Sequence, residues 1–468
     1  MTFLNNNYVK YFLGIVSLKI ILFLIIPMFY RNNGIEQLSI KDKLNLQLMC
    51  ILFYKRGLAG FRKDDVNNLK NYYINDPLGI KIFNKVKNEY KNGVAAWDLF
   101  FKKIFVIGNP ALVKFILDKS PNVFGPSTFK HIFMGKIMPN NIGVTKCPFS
   151  KTQICKEYTE KREMNEHVFG TKKGIDFKKH IINSICKNLN NKLNNADDFK
   201  EFTLNSMADL YFGHNNPQLQ KILKEMFDFI DMDSDLSIKT LFNKLSYARK
   251  PMEKVAEYIR NNDMGSGIFS RFKNYEYLNN REFDLSNEIP HWIGPYMAMM
   301  SFFLPILLFT ITKRPDVYET LMSEIDSGIL DIASTNTYIH YCVIEFLRLY
   351  NIISIQPARI CQGDIEFKGI KIPKGTELAV NLNTLLRDEK EFNNPDDFIP
   401  ERWEYKDLET QHIVFGAGTQ RCPSIHFTPL VFKITLKKLL TKFKYDINSD
   451  AYPSSTVPQW VDGYTIHF

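Results

Sequence analysis

A chain of 468 residues with 45% apolar side chains can build one large domain or two to three ordinary ones, and its net charge of +10 favours an acidic partner or an anionic membrane surface. Nucleic acid is the weaker reading, because the Lys and Arg are scattered and no nucleic-acid motif accompanies them. Seven cysteines without a Cys-x-x-Cys pair give neither a disulfide framework nor a zinc signature, so reduced thiols facing the cytosol are expected. Residues 11 to 30, YFLGIVSLKIILFLIIPMFY, form an apolar run about as long as a bilayer core is thick, interrupted by Lys19 and ended by Pro27 and Arg31. The run exceeds a signal-peptide core and lacks a small-residue cleavage site, which favours an uncleaved anchor. The shorter patch from Leu44 to Tyr54 either lies at the membrane interface or packs on the domain.

From Asp76-Pro77 the chain reads as globular. Helices are predicted over Ile82 to Tyr90 and, opened by Asn109-Pro110, over Ala111 to Leu117, with a strand over Phe100 to Ile107 between them. A loop-rich stretch from Pro121 to Gly143 precedes a polar helix, Ile154 to Phe169, and helical spacing alternates with Lys/Asn-rich turns over 175 to 270. Residues 291 to 311 are apolar on every face, which fits either a second membrane span or a helix buried through a large helical protein, kinked by Pro295 and Pro305. Pro315-Asp316 opens a further helix. The helix Tyr341 to Tyr350 sets Glu345 and Arg348 on one face among apolar neighbours, so this ion pair is expected to be buried and to need further partners. Short strands follow over 354 to 360, 365 to 367 and 377 to 381, then the anchor-rich loop Phe392 to Trp403, in which Arg402 is placed to close on the Glu345/Arg348 pair.

The stretch Phe415-Gly416-Ala417-Gly418-Thr419-Gln420-Arg421-Cys422-Pro423-Ser424 carries the most chemistry. Gly416 and Gly418 permit backbone conformations closed to other residues and leave room for a flat ligand, while Pro423 suits a first helical position. Cys422 would then sit at the positive end of a helix dipole, shielded by Phe415, where thiolate is favoured over thiol. Such a sulfur is either a buried structural cysteine or an axial ligand for haem iron. His426 reads as a packed or surface histidine on the same helix.

Three landmarks in order, Glu345-x-x-Arg348, Phe398-x-Pro400-Glu401-Arg402 and Phe415 to Ser424 around Cys422, resemble the cytochrome P450 superfamily, and the resemblance extends from about Asp76 to Phe468. It implies a mainly α fold with a small β region, haem b (iron protoporphyrin) as cofactor, and Cys422 as its thiolate ligand. It also implies that Glu345, Arg348 and Arg402 form a structural lock, and that Arg162, in Tyr158-x-x-x-Arg162, and Arg359, after Gln356-Pro357-Ala358, meet the haem propionates. Residues 291 to 311 then take the place of the helix crossing the distal face of the haem, which favours burial over a second span.

The chain departs from that pattern in three places. Gln420 stands where a basic residue is usual, and Ser424 replaces a glycine. On the distal helix Pro295-Tyr296-Met297-Ala298-Met299 holds the place of the usual acid-alcohol pair, so no catalytic residue is named by the sequence. The expected organisation is an anchor and flank over 1–34, a membrane-proximal linker over 35–75 and a haem-thiolate domain over 76–468 facing the cytosol. The expected activity is oxidation of a small lipophilic substrate, with electrons from a flavoprotein or ferredoxin received on lysines such as Lys161, Lys172, Lys173, Lys437, Lys438 and Lys442. The rival readings are a peroxide-using or isomerising haem-thiolate enzyme and a haem-binding protein without turnover.

Overall fold

A computed structural model describes residues 34–43, 46, 79–99, 102–170, 178–189, 193, 195–230, 249–273, 285–351, 356–444, 446–447 and 466–467. The expected anchor at 11–30, the patch from Leu44 to Tyr54 apart from Leu46, Asp76-Pro77, and Lys172 and Lys173 lie outside those residues.

Proline and side-chain caps set several helix starts where the spacing predicts them. Asn109 caps Pro110–Asp118 by accepting from the Leu112 amide at 3.1 Å, and Pro315 is the first residue of Pro315–Asp326. The helix bearing Glu345 and Arg348 is Tyr338–Leu349, opened by Thr337, three residues before the predicted start. The strand expected over Phe100 to Ile107 is half of a hairpin: β1, Val94–Leu99, pairs antiparallel with β2, Lys102–Ile107, from Val94↔Ile107 to Leu99↔Lys102. Val94 to Trp97 are buried on both strand faces, so no apolar-polar alternation marks β1.

The principal sheet takes in three more strands: β3, Phe124–Pro126; β4, Gln356–Cys361; and β7, Glu377–Val380. Its order is β1-β2-β7-β4-β3, with β2 and β7 parallel. β5, Ile365–Phe367, and β6, Ile370–Ile372, form a separate antiparallel hairpin. A third, two-stranded sheet pairs β8, Asp446–Ile447, with β9, Ile466–His467, and the other regular elements described are helical, which gives the expected mainly α architecture with a small β region.

The larger core gathers around the apolar run, now the distal helix. Over Leu285–Thr312 this stretch has a mean hydropathy of 1.7 and is 89% buried within the protein, which settles it as a core element. Trp292, Tyr296, Met300, Leu307 and Phe309 pack against Ala196–Met207, Tyr338–Leu349 and Phe427–Lys442, and each such side chain contributes roughly 1.5–3 kcal/mol of apolar burial. The helix is not uniform: Ile289–Ala298 and Leu304–Thr312 are joined by a π-helical turn, Met299–Phe303. Pro305 lacks an N–H for the Ser301 carbonyl, and its ring would strike that carbonyl in a continuous α-helix. The wider turn just before it relieves the clash.

The expectation of reduced thiols is corrected at one place. Cys147 and Cys155 form a disulfide across a Cα–Cα distance of 5.3 Å, in the segment entering the Lys156–Phe169 helix, which Cys155 caps. The seven intervening residues fold back far enough for bridging, a property that a bare Cys-x7-Cys spacing does not reveal. Among the described residues Cys186, Cys342, Cys361 and Cys422 are free.

Candidate functional site

The loop leading to Cys422 is closed by its own backbone: the Cys422 amide donates to the Phe415 carbonyl at 2.9 Å. Between them Gly416 has φ +89° and Gly418 φ +69°, but the two serve different ends. A Cβ on Gly416 would meet nothing nearer than the Arg421 Cα at 4.0 Å, so open space lies over this residue. A Cβ on Gly418 would stand 2.4 Å from the Leu117 carbonyl oxygen and 2.8 Å from the Asp118 Cα. Gly418 therefore lets the loop pack against the Pro110–Asp118 helix.

Cys422 is half-buried, with Sγ 3.1 Å from the Ser424 hydroxyl. Regular helix begins at Phe427, later than the Pro423 start expected from sequence, although the first helical hydrogen bond runs from the Thr428 amide to the Ser424 carbonyl at 2.9 Å. The sulfur thus still faces the opening turn of Phe427–Lys442. Tyr211, on the π-turn Ala208–Phe212, lies within Coulombic reach of Cys422, and burial holds its phenol well above the usual value, with Tyr296 and Cys422 adding to the effect. No sequence signal pointed to Tyr211.

Two arginines singled out from sequence meet at the rim of this loop. Arg162 Nε bonds Glu166 Oε1 at 2.7 Å, and its guanidinium also donates to the Arg421 carbonyl. Arg359 Nε donates to Ser120 Oγ at 2.9 Å, and Thr419 Oγ1 in the loop donates to the Ser120 carbonyl at 2.6 Å. Tyr158 spans the gap by donating to the Thr419 carbonyl at 3.2 Å. Burial pushes the Tyr158 phenol up to about 12, an effect opposed by Arg162 and Arg359, and burial draws Arg359 down to about 10. Gln420 Oε1 is buried at the same rim without a protein partner. Open space over Gly416, flanked by two guanidinium groups, suits a flat group with anionic substituents.

The structure brings Glu345, Arg348 and Arg402 together, with Glu345 and Arg348 fully buried. Arg348 Nε and Nη2 each lie 2.8 Å from a Glu345 oxygen, and Arg402 Nε lies 3.0 Å from Oε1. Two further donors were missed by sequence reasoning, Trp403 Nε1 and the Ile399 amide, both at 2.9 Å. Arg348 also donates to the carbonyls of Leu386, Pro395 and Asp397, so the pair holds the 386–403 segment.

The distal side carries no acid-alcohol pair. Ala298 is fully buried, Met299 opens the π-turn, and the buried Ser301 hydroxyl donates back to the Met297 carbonyl. Lys161 is also corrected. It is 5% exposed and engaged by Glu157, Thr145 and the Asn140 carbonyl, so it belongs to no accessible basic face.

The family profile described as Cytochrome P450 matches residues 299–464. Cytochrome P450 3A29 of Sus scrofa is 27% identical over 289 residues, which cover 57% of this chain and 56% of that protein. Cytochrome P450 3A12 of Canis lupus familiaris is 31% identical over 153 residues, 30% of either chain, so these matches span about half or less of the relatives' length. The solved structure of retinoic acid bound cyanobacterial CYP120A1 superposes with a TM-score of 0.59 at 18% identity, covering 82% of this chain and 93% of that one. The fold is therefore that of the P450 class. Over residues 299–464 and in the segments its relatives cover, the chain is similar to cytochromes P450.

Proposed function

We propose that this chain is a membrane-anchored haem-thiolate monooxygenase of a small lipophilic substrate, with haem b held by Cys422. The observation that carries the reading is the closed loop that presents the Cys422 sulfur beside open space, with Arg162 and Arg359 at its rim. When bound, the haem supplies the redox chemistry that inserts one oxygen atom into a substrate and reduces the other to water. Cys422 supplies the ligand, Phe415 shields it, Gly416 leaves the approach clear, and Arg162 and Arg359 hold the carboxylate edge. Glu345, Arg348 and Arg402 brace the segment that carries the loop. The catalytic domain spans 76–468, follows an anchor and flank over 1–34 and a linker over 35–75, and faces the cytosol. Lys437, Lys438 and Lys442 on Phe427–Lys442 receive an acidic flavoprotein or ferredoxin.

The test is the spectrum of the reduced, carbon-monoxide-bound protein. A thiolate ligand gives a strongly red-shifted Soret band; Cys422→His moves the band to a histidine-ligated position and Cys422→Ala loses most haem. The same effect at Cys342 or Cys361 in place of Cys422 overturns the assignment.

One observation favours a second reading, a peroxide-using or isomerising enzyme. The Ser301 hydroxyl, the nearest along the distal helix to the vacant acid-alcohol place, is committed to the Met297 carbonyl and supplies no proton relay of the usual kind. The ratio of product formed to reducing equivalents consumed separates the two: tight coupling supports the monooxygenase, whereas slow consumption with peroxide-supported turnover supports the rival.

A further inference from the structure

Basic side chains converge on the rim of the Cys422 loop from an element that the site described above does not use. Pro126 on β3 pairs with Arg359 on β4, and the chain passes directly from Pro126 through the capping residue Ser127 into the helix Thr128–Ile137. Ser127 Oγ accepts from the Lys130 amide at 3.0 Å, which fixes Lys130 in the first turn, beside the strand that carries Arg359. Its Nζ lies against the Gly143 turn, 3.6 Å from where a Cβ on that glycine would stand, and donates to no protein group among the described residues.

The surroundings of this half-buried ammonium close into a ring. Lys130 is within Coulombic reach of Arg359 and His291, Arg162 of His291 and Tyr158, and Arg359 of Tyr158, which in turn meets Gln420. Two carboxylates stand at this ring and neither bonds Lys130: Glu166 binds Arg162, and Glu288, 4.0 Å from His291 Nδ1, accepts from Asn141 Nδ2 at 2.6 Å and the Ile142 amide at 3.2 Å. Like charges gathered out of water repel unless an anion lies among them. In its absence burial, then Arg359, draws Lys130 down to about 7, and burial, then Lys130 and Arg162, draws His291 down to about 4.

We infer that Lys130 binds a carboxylate of the porphyrin edge, supplying from the Thr128–Ile137 helix the positive charge that Gln420 does not supply from the Cys422 loop. The inference rests on the haem reading above and adds a residue to it. Lys130 is a binding residue, so its loss acts on haem retention and leaves the axial ligand unchanged.

The experiment measures haem transfer from the full-length holoprotein to excess apomyoglobin, with the reduced carbon monoxide spectrum recorded for each variant. One charge-assisted contact corresponds to about tenfold in release rate. Lys130→Met is therefore expected to release haem about tenfold faster, Lys130→Arg to stay near the parent, and Gln420→Arg placed on Lys130→Met to recover most of the loss. All three should keep the thiolate spectrum. Loading with iron protoporphyrin dimethyl ester, whose carboxylates are blocked, should erase the difference between parent and Lys130→Met. A difference that persists with the ester shows Lys130 to be structural, and unchanged release with the free-acid haem shows it to be a bystander; either result overturns the inference while the thiolate spectrum leaves the haem reading standing. A parent protein that binds no haem overturns both.

Discussion

Glu288 is fully buried where the distal helix begins, and burial pushes its carboxyl up to about 7, with the Ile142 amide, Lys161 and Asn165 pulling it partly back. A carboxyl with a higher pKa in the folded than in the unfolded state holds its proton more tightly when folded. Its stabilising contribution is therefore complete below the ordinary value of 4.5 and is lost as pH rises through about 7. Glu288→Gln fixes the neutral form, so it should raise the thermal midpoint at pH 8, by an amount equivalent to about 3 kcal/mol, and change little at pH 4. The same gain at both pH values would show that proton uptake is not what burial changes here. None of this was legible in the sequence, because the groups that bury and bond Glu288 arrive from Asn141 and Ile142, far away in the chain. Cys422 was legible for the opposite reason: its loop, its closing hydrogen bond to Phe415 and its following helix all lie within a short stretch.

Among the elements, the segment from Leu386 to Trp403 shows how a stretch with little periodicity of its own is held in one conformation. It has few regular hydrogen bonds, and its carbonyls at Leu386, Asn393, Pro395 and Asp397 are satisfied by Arg348 and Arg402. Glu345 in turn receives both arginines, Trp403 and the Ile399 amide, so every charge in the buried cluster has a partner. Removing Glu345 leaves two cations facing each other without an anion, at a cost of about 3–5 kcal/mol. Trp403→Phe removes one bond to a carboxylate and should cost about 1–3 kcal/mol. Chemical denaturation of holoprotein variants checks the order; a Glu345→Ala protein as stable as the parent would mean that the cluster does not hold the fold. The pairing of Arg402 with Glu345 could be anticipated from motif order, whereas Trp403 could not, since an indole in a loop carries no directional signal. The distal helix divides in the same way. Its apolar length was plain from sequence, but the π-turn before Pro305 arises from a clash between a ring and one particular carbonyl, which periodicity does not register.

On the scale of the whole molecule, the question is what attaches the proposed enzyme to a membrane. Among the described residues one helix is long and apolar enough to cross a bilayer, and it is the distal helix, 89% buried against the rest of the protein. Drawing it into lipid would expose Ala196–Met207 and Phe427–Lys442, whose apolar faces it covers, and would dismantle the wall of the site. In the proposed reading attachment falls to residues 11 to 30, which lie outside the described structure and have the length and flanking charge of a single span. Deleting residues 1 to 34 should release the protein from membranes in salt or without detergent while it keeps its haem and its thiolate spectrum, because the groups described around Cys422 come from later in the chain. Continued dependence on detergent with haem retained would place a second attachment on the surface of the domain, and the exposed Phe149 and Tyr405 are where substitution to Ser would then be tried. Loss of haem on deletion would show that the leading segment supports the fold itself, and would move the domain boundary proposed at residue 76 toward the start of the chain.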